Sequence, residues 1–326
     1  MHRSSIVIVT PALAAANNGN WQTARRWARL LGRAYRITLT DRWEHGAHDC
    51  MIALHARRSA PSMQAWRQQA GERPLVLALT GTDLYRDIDT HPEARAWVDD
   101  ADRLVVLNTL GARRLPPAAQ ARTVTVLQSC GERRPLARSV RHLRALMVGH
   151  LRDEKDPLTY LRAARRLAGR ADILLDHVGA ALDAGLGAQA AALNAAGIGY
   201  RWLGELPHEA ARRRIQAAHV LVHASRMEGG AHVVIEAIRS GTPVIASRID
   251  GNLGLLGEDH PALFEPGDDA ALAALLARAR DDPAWLRALA ERSTARSPRF
   301  SPAAEARSLL GLLAGLLPGS ATTPAR

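Results

Sequence analysis

The sequence predicts an α/β protein made of two doubly wound domains, each built on a parallel β-sheet. Its 326 residues fit about two domains at roughly 150 residues each. Short apolar runs rich in β-branched residues alternate with longer stretches of helical periodicity along almost the whole chain. This alternation is typical of right-handed β–α–β units, in which a helix crosses between neighbouring parallel strands.

The first half of the chain contains six predicted strands, at 5–10, 36–40, 50–54, 75–80, 104–107 and 124–127, with amphipathic stretches such as 21–31 and 62–69 between them. The beginning resembles a secretion signal because Arg3 precedes an apolar run. That run has four residues before Thr10 and Pro11, shorter than the roughly 7–15 residues a signal requires. We therefore interpret it as the first strand.

The second half repeats the pattern. Its predicted strands are 143–148, 173–178, 200–203, 220–223, 244–246 and 262–264, and its predicted helices are 157–168, 209–217, 231–239, 270–278, 283–292 and 302–316. A polar segment with arginine and proline at 131–140 separates the two halves. We predict domains at 1–138 and 139–300, then a C-terminal helix at 301–326 that returns toward the first domain and ends in a frayed polar tail.

Composition narrows the class of protein. The net charge is +11, but only 4% of residues are aromatic and the arginines are spread along the chain, so no nucleic-acid partner is expected. The positive charge instead favours small anionic substrates by electrostatic steering. We find no apolar run of about 18 residues, so no membrane partner is expected. The two cysteines, Cys50 and Cys130, lie far apart, which indicates the reducing cytoplasm.

Two carboxylates eight positions apart, Glu228 and Glu236, form the most informative motif. Gly229 and Gly230 follow the first of them, and the second lies in an apolar run with helical spacing. A glycine-rich loop that opens onto a helix N-terminus presents backbone N–H groups to an anion. Both carboxylates can face one bound molecule, and a nucleotide sugar combines a phosphate part with a polyhydroxylated part.

Lys155 is the only lysine of the chain, against 42 arginines. It follows the strand at 143–148, and Asp156 with Pro157 predicts a helix start immediately after it. A cation beside a helix N-terminus at the carboxyl end of a strand is well placed for a diphosphate.

The second half resembles the nucleotide-sugar domain of GT-B glycosyltransferases of the "glycosyl transferases group 1" family, through Glu228 and Glu236, the Gly241-Thr-Pro-Val244 segment and Lys155. That resemblance implies two Rossmann-like doubly wound domains facing a central cleft. In the family the first glutamate faces the donor sugar, the second binds ribose hydroxyls, and a basic pair holds the diphosphate. The usual arginine is replaced by His150, so His150, Arg152 or another cation remains open as the partner of Lys155. The resemblance also implies donor contacts from Gly229, Gly230 and Ala231, and uracil recognition by the backbone of Gly204, Glu205 and Leu206.

A resemblance along nearly the whole chain is more specific. Seven segments, at 17–21, 79–87, 128–129, 150–157, 201–207, 227–231 and 249–254, together resemble the selenosugar synthase family of selenoneine biosynthesis. That family joins a nucleotide sugar, expected to be UDP-N-acetylglucosamine, to selenophosphate and so forms a carbon–selenium bond. The resemblance implies Glu228 and Lys155 as the catalytic residues.

An acceptor site is predicted at the strand ends of the first half. Group 1 transferases often carry His-Gly-Thr-Asp where this chain has Thr80, Gly81, Thr82 and Asp83. A hydroxyl acceptor usually needs a base, whereas selenophosphate is already an anion. The predicted acceptor residues are Asn17, Asn18, Gly19, Asn20, Thr80, Gly81, Thr82, Asp83, Arg86 and Asn252.

Structural alternatives stay open for several of these residues. Residues 17–20 also fit an ordinary strand-to-helix turn, Asp83 a helix cap, and Arg86 a solvated surface position. Gly251 and Asn252 read as a turn, and His223 and His232 fit structural or functional roles equally.

Two other functions stay open. One is a UDP-sugar transferase with an ordinary hydroxyl acceptor, and the other is a basic protein that binds nucleic acid without catalysis. No cofactor is expected. No metal is expected either, because no Asp-x-Asp lies at a strand end and cationic side chains can neutralise the leaving diphosphate.

Overall fold

The structure of the chain is a computed structural model that describes residues 3–13 and 19–317. Its contacts divide the chain into two compact units. Unit 1 comprises Met1–Ser129, Glu228–Gly230 and Pro302–Arg326, and unit 2 comprises Cys130–Met227 and Ala231–Ser301. The predicted frayed tail at 318–326 lies outside the described residues.

Unit 1 is built on a six-stranded sheet. Its strands are β1 (Ser5–Val9), β2 (Arg36–Thr40), β3 (Cys50–Leu54), β4 (Leu75–Leu79), β5 (Arg103–Val106) and β6 (Thr123–Thr125). They lie in the order β2-β1-β3-β4-β5-β6, and every neighbouring pair is parallel. The helices between them are α1 (Gly19–Leu31), α2 (Ala60–Ala70), α3 (Ile88–Thr90), α4 (Pro92–Asp100) and α5 (Pro117–Gln120), and a π-helical segment at Asp83–Asp87 leads into α3.

Both faces of this sheet are buried. Ile6 and Ile8 of β1 pack in a core with Trp27 of α1, while Val7 and Val9 pack in a second core with Trp66 of α2. Successive side chains of a strand point to opposite faces, so a strand covered on both sides needs a continuous apolar run. The Ile6–Val9 run is therefore explained by burial on both faces.

Unit 2 is built on a second six-stranded parallel sheet. Its strands are β7 (Leu143–Val148), β8 (Ile173–Val178), β9 (Tyr200–Trp202), β10 (Val220–His223), β11 (Val244–Ser247) and β12 (Leu263–Phe264), in the order β12-β11-β10-β7-β8-β9. The helices are α6 (Pro157–Arg166), α7 (Ala184–Ala195), α8 (His208–Ala217), α9 (His232–Ile238), α10 (Asp250–Leu256), α11 (Asp269–Asp281) and α12 (Pro283–Arg296). Numbered within the unit, the strand order of unit 2 is 3-2-1-4-5-6, whereas that of unit 1 is 2-1-3-4-5-6.

The last helix, α13 (Pro302–Ala314), belongs to unit 1 and packs on α1. Its Glu305 side chain is fully buried and accepts hydrogen bonds from Arg26 Nε at 2.9 Å and Trp27 Nε1 at 2.8 Å. A buried carboxylate requires such partners, so this cluster fixes where α13 packs.

The predicted fold class is confirmed: the chain forms two parallel six-stranded sheets with surrounding helices. Each of the twelve predicted strands overlaps a strand of the structure. Both cysteines are free and buried. Because the strands are parallel, all their carboxyl ends meet at one edge of each sheet, and most of the predicted site residues follow these ends.

Candidate active site

Three glycines, Gly149, Gly179 and Gly204, follow the carboxyl ends of β7, β8 and β9. They form a surface without side chains, which we call the glycine floor. A side chain on Gly179 would lie 2.0 Å from the carbonyl oxygen of Gly149, so only glycine fits there. Gly204 has a φ of 66°, and its carbonyl accepts a hydrogen bond from the Gly179 N–H at 2.8 Å. Glu205 and Leu206, the other residues predicted to recognise the base, follow Gly204 directly on the way to α8.

Lys155 packs against Gly149. Its side-chain stem runs 3.6 Å from where a Cβ on Gly149 would be, which is ordinary van der Waals contact. Asp156, with a φ of 45°, caps α6 by accepting hydrogen bonds from the N–H of Thr159 at 3.4 Å and its hydroxyl at 2.7 Å. The cap orients the N-terminus of α6 next to the lysine, as the sequence predicted.

His150 is a neutral residue rather than a second cation. Burial lowers its pKa, and the positive charges of Arg152 and Lys155 lower it further, while Glu205 acts in the opposite direction. Its Nδ1 accepts a hydrogen bond from the Ala180 N–H at 3.1 Å, which leaves the ring proton on Nε2. His150 thus lies close enough to Arg152, Lys155 and Glu205, which are also predicted to bind the nucleotide sugar, for their charges to act on it. Its Nε2–H is a hydrogen-bond donor.

Arg226 was not identified from the sequence and lies beside the same segment. Its guanidinium group contacts the carboxylates of Asp153 and Asp156, both at 3.3 Å. Its backbone N–H donates to the Glu154 carbonyl at 3.0 Å. It follows β10 and precedes Glu228 by two positions. Arg226 therefore fastens the loop that carries Lys155 to the strand that leads into the glutamate motif.

Glu236 is held by two histidines and an arginine. It is 2% exposed, on α9, and its Oε1 lies 2.7 Å from His208 Nε2, 3.3 Å from His232 Nδ1 and 3.6 Å from Arg212 Nη1. Burial opposes the charged form, but the hydrogen bonds from His208 and His232 outweigh it and lower the pKa of Glu236 from 4.5 to about 2. The carboxylate is therefore ionised at neutral pH and fixed in position.

The loop Glu228–Gly230 packs on the first turn after β4, within unit 1. A Cβ on Gly229 would lie 2.3 Å from the Thr80 carbonyl oxygen and 2.8 Å from the Gly81 nitrogen. Asn108 Nδ2 donates to the Gly229 carbonyl at 2.7 Å. Both glycines are required sterically, because a Cβ on Gly230 would also lie 2.8 Å from the Leu107 Cβ. Ala231, buried, then caps α9.

The Thr80–Asp83 turn is ordered by its own aspartate. Asp83 is fully buried, its Oδ1 accepts from the N–H groups of Thr80 and Gly81 at 2.9 and 2.8 Å, and its Oδ2 accepts from Ala56 N at 3.1 Å. These two N–H groups are occupied, so an acceptor anion at this turn would contact side chains such as Thr80 and Thr82.

His55 is a second residue that the sequence analysis missed. It follows β3 with a φ of 75°, which is unusual for a residue other than glycine, and its side chain is 3% exposed. Its Nε2 lies 3.1 Å from the Thr82 hydroxyl and 3.8 Å from Asp87 Oδ2. Burial lowers the pKa of His55, although Asp83 and Asp87 act in the opposite direction. The ring is therefore held next to a predicted acceptor residue.

Other predicted acceptor residues differ in position. Gly19 and Asn20 begin α1, while Asn17 and Asn18 lie outside the described residues. Arg86 is exposed and its Nε contacts Asp87 at 3.1 Å. Gly251 and Asn252, which by themselves also fit a turn, both lie inside α10.

Asn252 is fully buried, and its amide is used within unit 2. Its Oδ1 lies 2.8 Å from His223 Nδ1, and its Nδ2 donates to the Ser247 carbonyl at 2.9 Å and hydroxyl at 3.0 Å. These contacts hold α10 against the ends of β10 and β11.

Two features are absent from the described residues. No cluster of three or more His, Cys, Asp or Glu side chains in 3–13 and 19–317 is arranged to hold a metal ion. None of the helices in this part of the chain combines the length and apolar character that crossing a membrane requires.

Comparison with known proteins places this geometry in a class. The chain matches the solved structure of sucrose-phosphate synthase from Thermosynechococcus elongatus with a TM-score of 0.80 at 19% identity, over 96% of this chain and 99% of that one. Anabaena HepE, solved with UDP and glucose, gives 0.76 at 15% identity over 97% and 100%. The pneumococcal O-GlcNAc transferase GtfA, solved with UDP and GlcNAc, gives 0.65 at 16% identity over 82% and 57%. The fold is therefore that of GT-B glycosyltransferases.

The family follows from the sequence match. The profile described as "Glycosyl transferases group 1" covers residues 132–296, just over half of the chain. This chain belongs to that glycosyltransferase family. No curated protein sequence matches it.

Proposed function

We propose that this chain transfers a sugar from a UDP-sugar, expected to be UDP-N-acetylglucosamine, to selenophosphate and so forms a carbon–selenium bond. One structural observation carries the proposal. Gly229 lies directly on the Thr80–Gly81 turn, with room for no side chain between them. The glutamate motif predicted to face the donor sugar thus lies next to the turn predicted to bind the acceptor.

The donor assignment is supported by the strand ends of unit 2. The glycine floor, Lys155 and the N-terminus of α6 offer a base platform, a cation and a helix dipole for a nucleoside diphosphate. The fixed, ionised Glu236 suits ribose hydroxyls. HepE and GtfA, which share the fold, were both solved with UDP.

The acceptor assignment rests on the seven-segment resemblance and on the residue at position 80. A threonine stands where group 1 transferases often place a histidine, and selenophosphate needs no base to remove a proton. The N-terminus of α1, with no acidic residue in its first turn, is compatible with an anionic acceptor.

The reaction follows from these roles. The selenium electron pair attacks the anomeric carbon and forms the C–Se bond while the bond to the UDP oxygen breaks, and the electrons leave on the diphosphate. Lys155, with Arg152, neutralises the leaving group, and Glu228 stabilises positive charge on the sugar ring. Water then cleaves the P–Se bond and releases inorganic phosphate and the selenosugar.

A second candidate is transfer to a hydroxyl acceptor. The observation that favours it is His55, whose ring lies 3.1 Å from the Thr82 hydroxyl and can take up a proton there. A hydroxyl nucleophile needs such a base, whereas selenophosphate does not.

A UDP-release assay separates the two candidates. The protein is incubated with UDP-N-acetylglucosamine and either selenophosphate or a panel of sugar alcohols, with Glu228→Ala as the inactive control. We expect UDP release with selenophosphate that depends on Glu228. Release with alcohols alone would support the second candidate and contradict the first.

A further inference from the structure

A polar row crosses one face of the unit 2 sheet, where a doubly wound fold usually buries apolar side chains. Asp176 of β8 is the register partner of Arg201 of β9 on one side and of Leu146 of β7 on the other. These three side chains therefore lie on the same face of the sheet. Arg144 lies on the same face of β7, two positions before Leu146. The alternate residues Leu143, Ala145 and Met147 form the core on the opposite face.

The Asp176 carboxylate forms ion pairs with three arginines. Its carboxylate is 1% exposed and lies 2.9 Å from Arg144 Nη1, 2.8 Å from Arg201 Nη2 and 3.9 Å from Arg214 Nη1. One carboxylate cannot neutralise three guanidinium groups, so the cluster keeps an excess of positive charge.

The same residues line a cavity of about 400 Å³. Arg138 also lines it, and the buried Nε–H of Arg138 has no hydrogen-bond partner. An unsatisfied charged donor is costly in a buried position. The lining residues include four arginines and one acidic residue, so these five side chains together carry a charge of about +3.

We infer that this cavity, the Arg144–Arg201 pocket, is a second anion site that binds a small phosphorylated molecule. Guanidinium groups match phosphate oxygens in bidentate pairs, and three held on one carboxylate are preorganised for a multiply charged anion. The cavity volume lies at the lower end of the range of about 300–1,000 Å³ for small-molecule sites.

The pocket is separate from the donor residues. Arg144 and Arg201 lie near the amino ends of β7 and β9, and His142 and His219 lie just before β7 and β10. Lys155 and Gly204 follow the carboxyl ends of the same sheet. Occupancy of the pocket therefore does not require donor binding.

Calorimetric titration with inorganic pyrophosphate at fixed ionic strength tests the site. We expect Arg201→Leu and Arg214→Leu each to weaken one binding event by at least about tenfold, because each removes a charged donor. Arg213→Leu, on the same helix as Arg214 but outside the pocket, is the matched control and should bind as the unsubstituted protein does. Lys155→Ala should retain the event.

The side chains of Arg201 and Arg214 are 49% and 46% exposed, so both substitutions are expected to leave the fold intact. Equal binding to Arg214→Leu and the unsubstituted protein would overturn the inference. So would the loss of all pyrophosphate binding in Lys155→Ala, which would place the only anion site at the donor residues.

Discussion

Replacing Gly229 with alanine tests the contact between the loop Glu228–Gly230 and the turn Thr80–Asp83, where we propose that the acceptor binds. The added Cβ would lie 2.3 Å from the Thr80 carbonyl oxygen and 2.5 Å from its carbon, whereas ordinary contact begins at 3.4 Å. The obstructing atoms are backbone, so no side chain can rotate away. The loop must therefore move by about 1 Å, and Glu228, its first residue, moves with it.

The expected effect is mainly catalytic. A displacement of about 1 Å at a positioned group can lower the rate by about 100-fold, whereas overpacking of this kind costs about 1–3 kcal/mol of stability. We expect Gly229→Ala to lower kcat by about 100-fold with a folded protein, while UDP affinity changes by less than about threefold. Steady-state kinetics with the acceptor that supports turnover, together with a thermal melt, measures both quantities.

Gly169→Ala is the matched control, since no atom lies within 4 Å of the Cβ it would add. It should keep the kinetics of the unsubstituted protein. If Gly229→Ala retains more than about a third of kcat/KM, the loop does not need its position against Thr80, and the reasoning fails.

Three further predictions concern single side chains. Lys155→Ala should weaken UDP binding by about 10- to 100-fold in calorimetry, because a charge-assisted hydrogen bond to phosphate is lost, and unchanged affinity would contradict its role. The hydrogen bond to Glu236 raises the pKa of His208, so the charged pair stabilises the fold below pH 6.5 and this contribution is lost as pH rises through the raised pKa. The melting temperature should therefore fall over that window more in the unsubstituted protein than in His208→Asn, and parallel curves would argue against the pair. His55→Gln should lower turnover of a hydroxyl acceptor by about 100-fold or more but that of selenophosphate by less than about tenfold, and equal losses would give His55 a structural role.

The sequence identified the strands because each is a short run of apolar residues that the sheet buries. Ile6–Val9 is apolar at every position since both faces of the first sheet are covered. Gly251 and Asn252 by themselves also fit a turn, but they lie inside α10, where Asn252 is fully buried. Asn252 forms hydrogen bonds with His223 of β10 and Ser247 of β11. The contact with His223 depends on the fold and not on neighbouring positions in the sequence.

The residues of the sequence motifs could be identified because residues close to them in the sequence determine their surroundings. Lys155 follows one strand and precedes one helix cap, so sequence spacing alone predicts its surroundings. His208, Arg226 and His55 could not be found in this way. His208 meets Glu236 only because α8 packs beside α9, and His55 meets Thr82 only because β3 and β4 are adjacent.

The most direct test of the central claim is the structure of the product from one turnover. UDP-N-acetylglucosamine labelled with ¹³C at the anomeric carbon is mixed with selenophosphate and the protein, and the product is examined by ⁷⁷Se and ¹³C NMR and by mass spectrometry. We predict a one-bond coupling between selenium and the anomeric carbon and the mass of a selenosugar. A product in which that carbon is bonded to oxygen, with selenophosphate unconsumed, would contradict the account.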